Sequence, residues 1–175
     1  MSIKQLKIVL FGNPVLRQKA KHVSVFHKKL HSVIDSIAHT LDNKEDGAAL
    51  AATQVNILKR ITVIDYEGEY FEMINPEIIE SGGEIIKSEG CLSFPGYTGL
   101  VPRAEFVKVK FQDRNGNESV IERSGNMARC IQHEIDHLDG ILYIDRMKET
   151  FLTHNETDEK LNVEEVLLIA NNRSK

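Results

Sequence analysis

The order of elements along the chain predicts an α+β domain: an N-terminal helix, a series of antiparallel strands, then a second helix. Three observations carry this. Apolar residues recur at helical spacing over residues 24–43, β-rich segments alternate with turn signals between residues 61 and 121, and a helical pattern runs from about Ser124 to a stop at Gly140.

In the first helix, Leu30, Val33, Ile34, Ile37 and Leu41 fall on one face, and Ser24 is the expected cap of the first turn. The segments ITVIDY (61–66) and EYFEMIN (69–75) flank Glu67-Gly68, a tight hairpin turn. EIIE (77–80) and EIIKSEG (84–90) flank a further turn at Ser81-Gly82-Gly83. FVKVKF (106–111) alternates, and Asn115-Gly116 separates it from SVI (119–121), another hairpin signal. Beyond Phe151 the chain is acidic and polar until LNVEEVLLIA (161–170), a short closing helix or a packed strand. The expected organisation is one domain over residues 1–150 and a tail over 151–175.

Composition narrows the classes. The chain has 175 residues, 41% hydrophobic and 27% charged, enough for one domain with a real core. Disordered and collagen-like architectures do not fit these fractions. The longest apolar runs, at 48–52 and 166–170, are too short to cross a bilayer, and the N-terminal stretch has no small-residue cleavage site. No membrane partner is therefore expected, and a cytoplasmic location is. A net charge of −4 argues against a dedicated DNA binder. Two cysteines, Cys91 and Cys130, cannot make a disulfide framework and read as reduced thiols.

The chemistry concentrates in QHEIDHLDG (132–140). His133 and His137 are four apart, so on a helix their side chains lie about 40° apart and face one point. Glu134 follows about 60° further round on the same side. Met127, Ile131, Ile135 and Leu138 cluster on a neighbouring arc that suits a core, while Gln132, Asp136 and Asp139 take the remaining, polar arc. Two histidines with an adjacent glutamate at this spacing are the pattern of metal hydrolases, in which the histidines bind the ion and the glutamate handles protons. Such a site needs a third protein ligand. Cys91 in EGCLSFPG (89–96) is the preferred candidate, because its glycine-flanked polar loop reads poorly as core. Glu164 and Glu165 are the rivals, since an HExxH peptidase would take a downstream glutamate and cleave internal peptide bonds.

Three motifs, GAALAATQ (47–54), EGCLS (89–93) and QHEIDH (132–137), together resemble the peptide deformylase family. NPVLRQKAKHV (13–23), NPEI (75–78) and VPR (101–103) fit the same pattern, and the resemblance covers roughly residues 8–148. It implies antiparallel strands wrapped around a central HExxH helix and makes residues 1–150 the catalytic domain. The implied reaction is metal-dependent hydrolysis of the formyl group from N-formylmethionine on nascent polypeptides. By motif position, Cys91, His133 and His137 would bind the metal, Glu134 would be general base and acid, and Gln54 with the Leu92 backbone N–H would stabilise the oxyanion. The implied ion is Fe(II), with zinc, nickel or cobalt able to take the same place. Gly47, Ala48, Ala49, Glu89, Gly90, Arg103 and Cys130 would contact substrate, Cys130 as a wall of the methionine pocket.

The chain departs from the family pattern at its first motif, where Ala49 replaces a second glycine and Ala48 replaces a larger apolar residue. Alanine at 49 adds a methyl group and resists positive φ, and Ala48 leaves the pocket wider. A weakly catalytic homologue that binds peptide N-termini has Ala49 as its only support. Arg103 either positions the substrate backbone or braces the EGCLS loop. His27, His31 and His39 stand at helical spacing, but with Lys28 and Lys29 between the first two they read as a solvated face. Docking on the ribosome through the tail is disfavoured, because Glu156, Asp158, Glu159, Glu164 and Glu165 precede the final Arg173 and Lys175.

Overall fold

The computed structural model describes residues 3–172. Helix α1 (Lys28–Asp42) is followed by strands β1 (Ala49–Ala51), β2 (Ile61–Tyr66), β3 (Glu69–Gly82), β4 (Ile85–Cys91), β5 (Phe94–Arg103), β6 (Phe106–Gln112) and β7 (Glu118–Ser124). Helices α2 (Gly125–Leu138) and α3 (Tyr143–Arg146), strands β8 (Phe151–His154) and β9 (Lys160–Asn162), and helix α4 (Val163–Asn172) complete the chain. The strands form two antiparallel sheets, ordered β1-β2-β3-β6-β7 and β4-β5-β8-β9.

Strand β2 shows why the helices sit where they do. Its residues Ile61 to Ile64 are all fully buried, because the sheet is covered on both faces. Ile61 and Val63 pack in the cluster that holds Leu30, Ile34, Ile37 and Leu41 of α1. Ile64 points the other way, into the cluster of Met127, Ala128, Ile131 and Ile135 of α2. On its far side α2 is tied to the second sheet, where Arg129 donates to the carbonyls of Ile85, Lys87 and Val101. The helix is thus clasped between the sheets, as expected for strands wrapped around it.

Several sequence expectations change. Helix α1 starts at Lys28 and not near Ser24; its cap is His27, whose Nδ1 accepts from the Leu30 N–H at 3.1 Å. The preceding residues are held away from the helix because Val23 is pinned on both sides by Asn75, accepting from its Nδ2 at 2.9 Å and donating to its Oδ1 at 2.8 Å. His31 is half-buried, with Nε2 2.8 Å from the Arg114 carbonyl, so it is not simply a solvated face. Segments 69–75 and 77–80 are one strand. Asn75, at φ 53°, bends β3 without ending it, so the strand pairs with β2 before the bend and with β6 after it. Past Gly82 the chain crosses to the other sheet, and 84–90 pairs with β5.

The segment after residue 150 packs on the same body. Strand β8 pairs with β5, β9 pairs with β8, and Leu152, Val163 and Val166 are buried beside Leu16, Val101 and Tyr143. Arg173 and Lys175, the basic end of the tail, lie outside the described residues.

Gly140 ends α2 at φ +74°, and a Cβ there would lie 2.6 Å from the Arg17 carbonyl oxygen. Gly140→Ala therefore combines left-handed strain with a backbone clash. A loss of at least about 1–3 kcal/mol is expected, read as a lower denaturant midpoint with an unchanged slope.

Candidate metal centre

Two elements deliver three donor atoms to one point. The i, i+4 spacing on α2 brings His133 and His137 together, their Nε2 atoms 3.2 Å apart. Cys91 comes from the end of β4, where the hairpin to β5 closes at Cys91↔Phe94, and its Sγ is 3.3 Å from His137 Nε2. The three donors all lie within 4.8 Å of one another. One thiol and two imidazoles match the number and kind of ligands that a catalytic metal takes from a protein, so the set could hold an ion. Burial lowers the pKa of His137 well below its ordinary value and keeps that ring neutral, as a ligand must be. Burial pulls His133 the same way, but hydrogen bonds to Cys91 and Glu89 more than offset it and hold it at about 10, so ion binding would displace a proton there. Glu164 and Glu165, the rival ligands, are exposed at the start of α4 and are not among these donors.

Behind the donors runs a chain of buried charges. Glu89, in β4, lies 3.1 Å from His133 Nδ1, on the side of the ring away from the thiol. The same carboxylate takes a fork from Arg103, with Nε at 3.0 Å and Nη2 at 2.9 Å, and a bond from Arg129 Nη2 at 2.8 Å. Arg103 in turn pairs with Asp136 of α2, which also binds Arg146 at 2.8 Å. Burial would raise the Glu89 carboxyl, but hydrogen bonds from His133 and Arg103 hold it at about 2. The network fixes His133 with Nε2 toward the other donors. His137 has no such brace: its buried Nδ1 has no partner among the described residues.

Glu134, Gln54, Cys91 and His133 line one cavity of about 400 Å³. Glu134 is 3% exposed, and burial pushes its carboxyl up to about 7 in the protein alone. Thr62 Oγ1 sits 3.2 Å from Glu134 Oε2 and 3.3 Å from the Leu50 carbonyl. Gln54 is locked at both ends: Oε1 accepts from the Ala51 N–H at 2.9 Å, so its amide donors face Ser93 Oγ at 3.2 Å and Cys91 Sγ at 3.5 Å. Ala48, Ala49, Gly90, Leu92 and Cys130 also line the cavity. Burial raises the Cys130 thiol well above its ordinary pKa, which keeps it neutral and suits a wall.

Several sequence readings need correction. Arg103 is 5% exposed and is not among the residues lining the cavity; both ends of its guanidinium are taken by Glu89 and Asp136, which fits the bracing of the EGCLS strand. Gly47 also lies off the cavity wall, and a Cβ there would meet Leu41 and Lys44 of the preceding turn at 2.8 and 2.9 Å. Its glycine is needed for packing. Ala49 is in regular strand pairing with Ile64 and is not among the residues with positive φ, so alanine costs no strain there. Glu89 borders the cavity, but its carboxylate is spent on His133, Arg103 and Arg129. Sequence reasoning missed Arg129, Thr62, Ser93 and Asn155. Arg129 carried a usable signal, being one helical turn before His133; Thr62 inside ITVIDY reads only as a strand former.

Glu89→Gln keeps the shape of the brace and removes its charge. Metal affinity, measured by competition with a chromogenic chelator, is expected to fall by about 10–100-fold.

Comparison with known proteins gives a consistent picture. The sequence profile of the polypeptide deformylase family matches residues 5–151. The peptide deformylase of Halothermothrix orenii is 52% identical over 144 residues, 81% of this chain and 93% of that protein. That of Heliobacterium modesticaldum is 47% identical over 142 residues, with the same coverage. The crystal structure of peptide deformylase from Thermotoga maritima superposes with a TM-score of 0.81 at 40% identity, over 83% of this chain and 99% of that one. A peptide deformylase from Synechococcus elongatus in complex with actinonin gives a TM-score of 0.79 at 40% identity, over 85% of each chain. Profile, sequence and fold agree over most of the chain, and the chain belongs to the polypeptide deformylase family.

Proposed function

We propose that this chain removes the formyl group from N-formylmethionine at the start of nascent polypeptides, releasing formate, with one divalent metal ion held by Cys91, His133 and His137. The observation that carries the reading is one thiol and two imidazoles within 4.8 Å of one another, with Cys91, His133 and the buried Glu134 lining one cavity. Fe(II) is the expected ion; zinc, nickel and cobalt suit the same donors. When bound, the ion supplies Lewis acidity for the formyl carbonyl and lowers the pKa of water toward neutrality.

The chain's own groups do the rest. Glu134 takes a proton from the attacking water and returns one to the leaving amine nitrogen, and burial, by disfavouring its charged form, favours its taking a proton. Thr62 serves Glu134 in each state. It donates to the carboxylate when Glu134 is ionised; when Glu134 is protonated it accepts, and turns its own proton to the Leu50 carbonyl. Negative charge developing on the formyl oxygen is met by the Gln54 amide, whose orientation the Ala51 N–H fixes, and by the Leu92 backbone N–H. Ala48, Ala49, Gly90 and Cys130 shape the wall for the methionine side chain. The cytoplasm, where nascent chains emerge, is the proposed location; among the described residues no helix is long and apolar enough to cross a membrane. Exposed Glu156, Asp158, Glu159, Glu164 and Glu165 make the tail a poor fit for ribosomal phosphates.

The direct test is anaerobic release of formate from formyl-Met-Ala-Ser by protein reconstituted with iron or nickel. Turnover is expected, and a metal-loaded protein that releases none would overturn the reading. Glu134→Gln should retain the metal while kcat drops by about 10²–10⁴. Thr62→Val, which keeps the shape and removes the hydroxyl, should lower kcat roughly tenfold with KM and metal content unchanged. Wild-type kcat in Thr62→Val would remove that residue from the proton path.

A further inference from the structure

Part of the cavity wall comes from beyond the stretch that matches the family profile. The profile ends at residue 151, yet Asn155, in the turn between β8 and β9, lines the same cavity as Cys91, His133 and Glu134. The turn is held against the wall. Asn155 donates its backbone N–H to the Gly96 carbonyl at 2.9 Å, and Tyr97 and Thr98 pair with His154 and Thr153. A row of rings ties the hairpin to the body: Phe11 stacks on Phe94 at 4.8 Å, Phe94 on Tyr97 at 5.2 Å, and Tyr97 meets the edge of His154 at 5.0 Å. The turn is also closed on itself, since His154 Nδ1 accepts from the N–H groups of Glu156 and Thr157, and Leu152 at the hairpin's root is fully buried. The Asn155 side chain, by contrast, is exposed, and its amide takes no partner among the described residues.

We infer that Asn155 is a substrate-positioning residue, whose side-chain amide pairs with the peptide backbone downstream of the formylmethionine. This rests on the proposed deformylase reading. The formyl group must reach the metal donors, so the rest of the peptide leaves through the mouth of the cavity, and Asn155 stands there on a preformed support. A primary amide offers one acceptor and two donors, the complement of a peptide group, and it reads backbone without regard to side chain, as an enzyme facing many nascent chains requires. Because the hairpin is already ordered, binding there costs little conformational entropy.

The test uses the metal-loaded full chain and three substrates: formyl-Met-Ala, formyl-Met-Ala-Ser and formyl-Met-Ala-Ser-Ala. For the wild type, kcat/KM is expected to rise with peptide length. In Asn155→Ala the ratio of the longest to the shortest substrate is expected to fall about five-fold, with the loss in KM, the size of one hydrogen-bonded contact. Asn155→Asp, which keeps an acceptor, should recover part of the ratio. A wild type without any gain from length, or an Asn155→Ala variant with the wild-type ratio, would overturn the assignment. Failure of the deformylase reading would look different: the wild type would turn over none of the three.

Discussion

The Arg103 guanidinium joins the two halves of the site. One side of its fork holds Glu89, two residues before the Cys91 thiol on β4; the other holds Asp136, next to His137 on α2. A strand and a helix from different parts of the chain are thereby clamped at the level of the three donor atoms. The clamp is costly to bury and would be weak evidence for stability, since well-packed apolar groups often do as well. Its value is register. If the strand slid by one residue, Glu89 would lose Arg103, Arg129 and His133 together, and the thiol would leave the imidazoles.

That constraint also bears on how one small cavity shifts two carboxylates in opposite directions. Glu89 of β4 and Glu134 of α2 both line that cavity. Hydrogen bonds from His133 and Arg103 hold Glu89 at about 2; at Glu134 desolvation outweighs the His133 charge and the Thr62 hydrogen bond and carries the carboxyl to about 7. One is a fixed brace and the other is suited to the proposed proton transfer, although the two residue types are the same. Burial alone would have raised both. The hydrogen bonds from His133 and Arg103 decide the difference, and they arrive from α2 and β5.

The candidate donors on α2 were legible in the sequence, as was the face that carries them. Helical spacing alone brings His133, Glu134 and His137 to one side of α2 and leaves Met127, Ile131 and Leu138 for the core, and the structure keeps that division. The polar arc of Gln132 and Asp136 was legible only as polar. In the fold Gln132 caps the Ala104 backbone in both directions, and Asp136 holds two arginines. The hairpin at Glu67-Gly68 follows from turn chemistry, with both residues at positive φ. The bend at Asn75 does not, because a strand that swaps partners and a strand that ends look the same locally.

What the amino-acid order determined by itself was whatever depends on near neighbours: the element types, the amphipathic faces, the pair of imidazoles, and the motifs EGCLS and QHEIDH that mark the family. Tertiary structure decided what depends on residues far apart in the chain. Cys91 and His137 are 46 positions apart, Thr62 and Glu134 are 72, and Asn155 reaches the cavity only because its hairpin adds to β5. Periodicity is a property of a few consecutive residues and can be read in order. Which strand edge a segment pairs with, and which charge meets which in the interior, is settled by packing the whole chain at once.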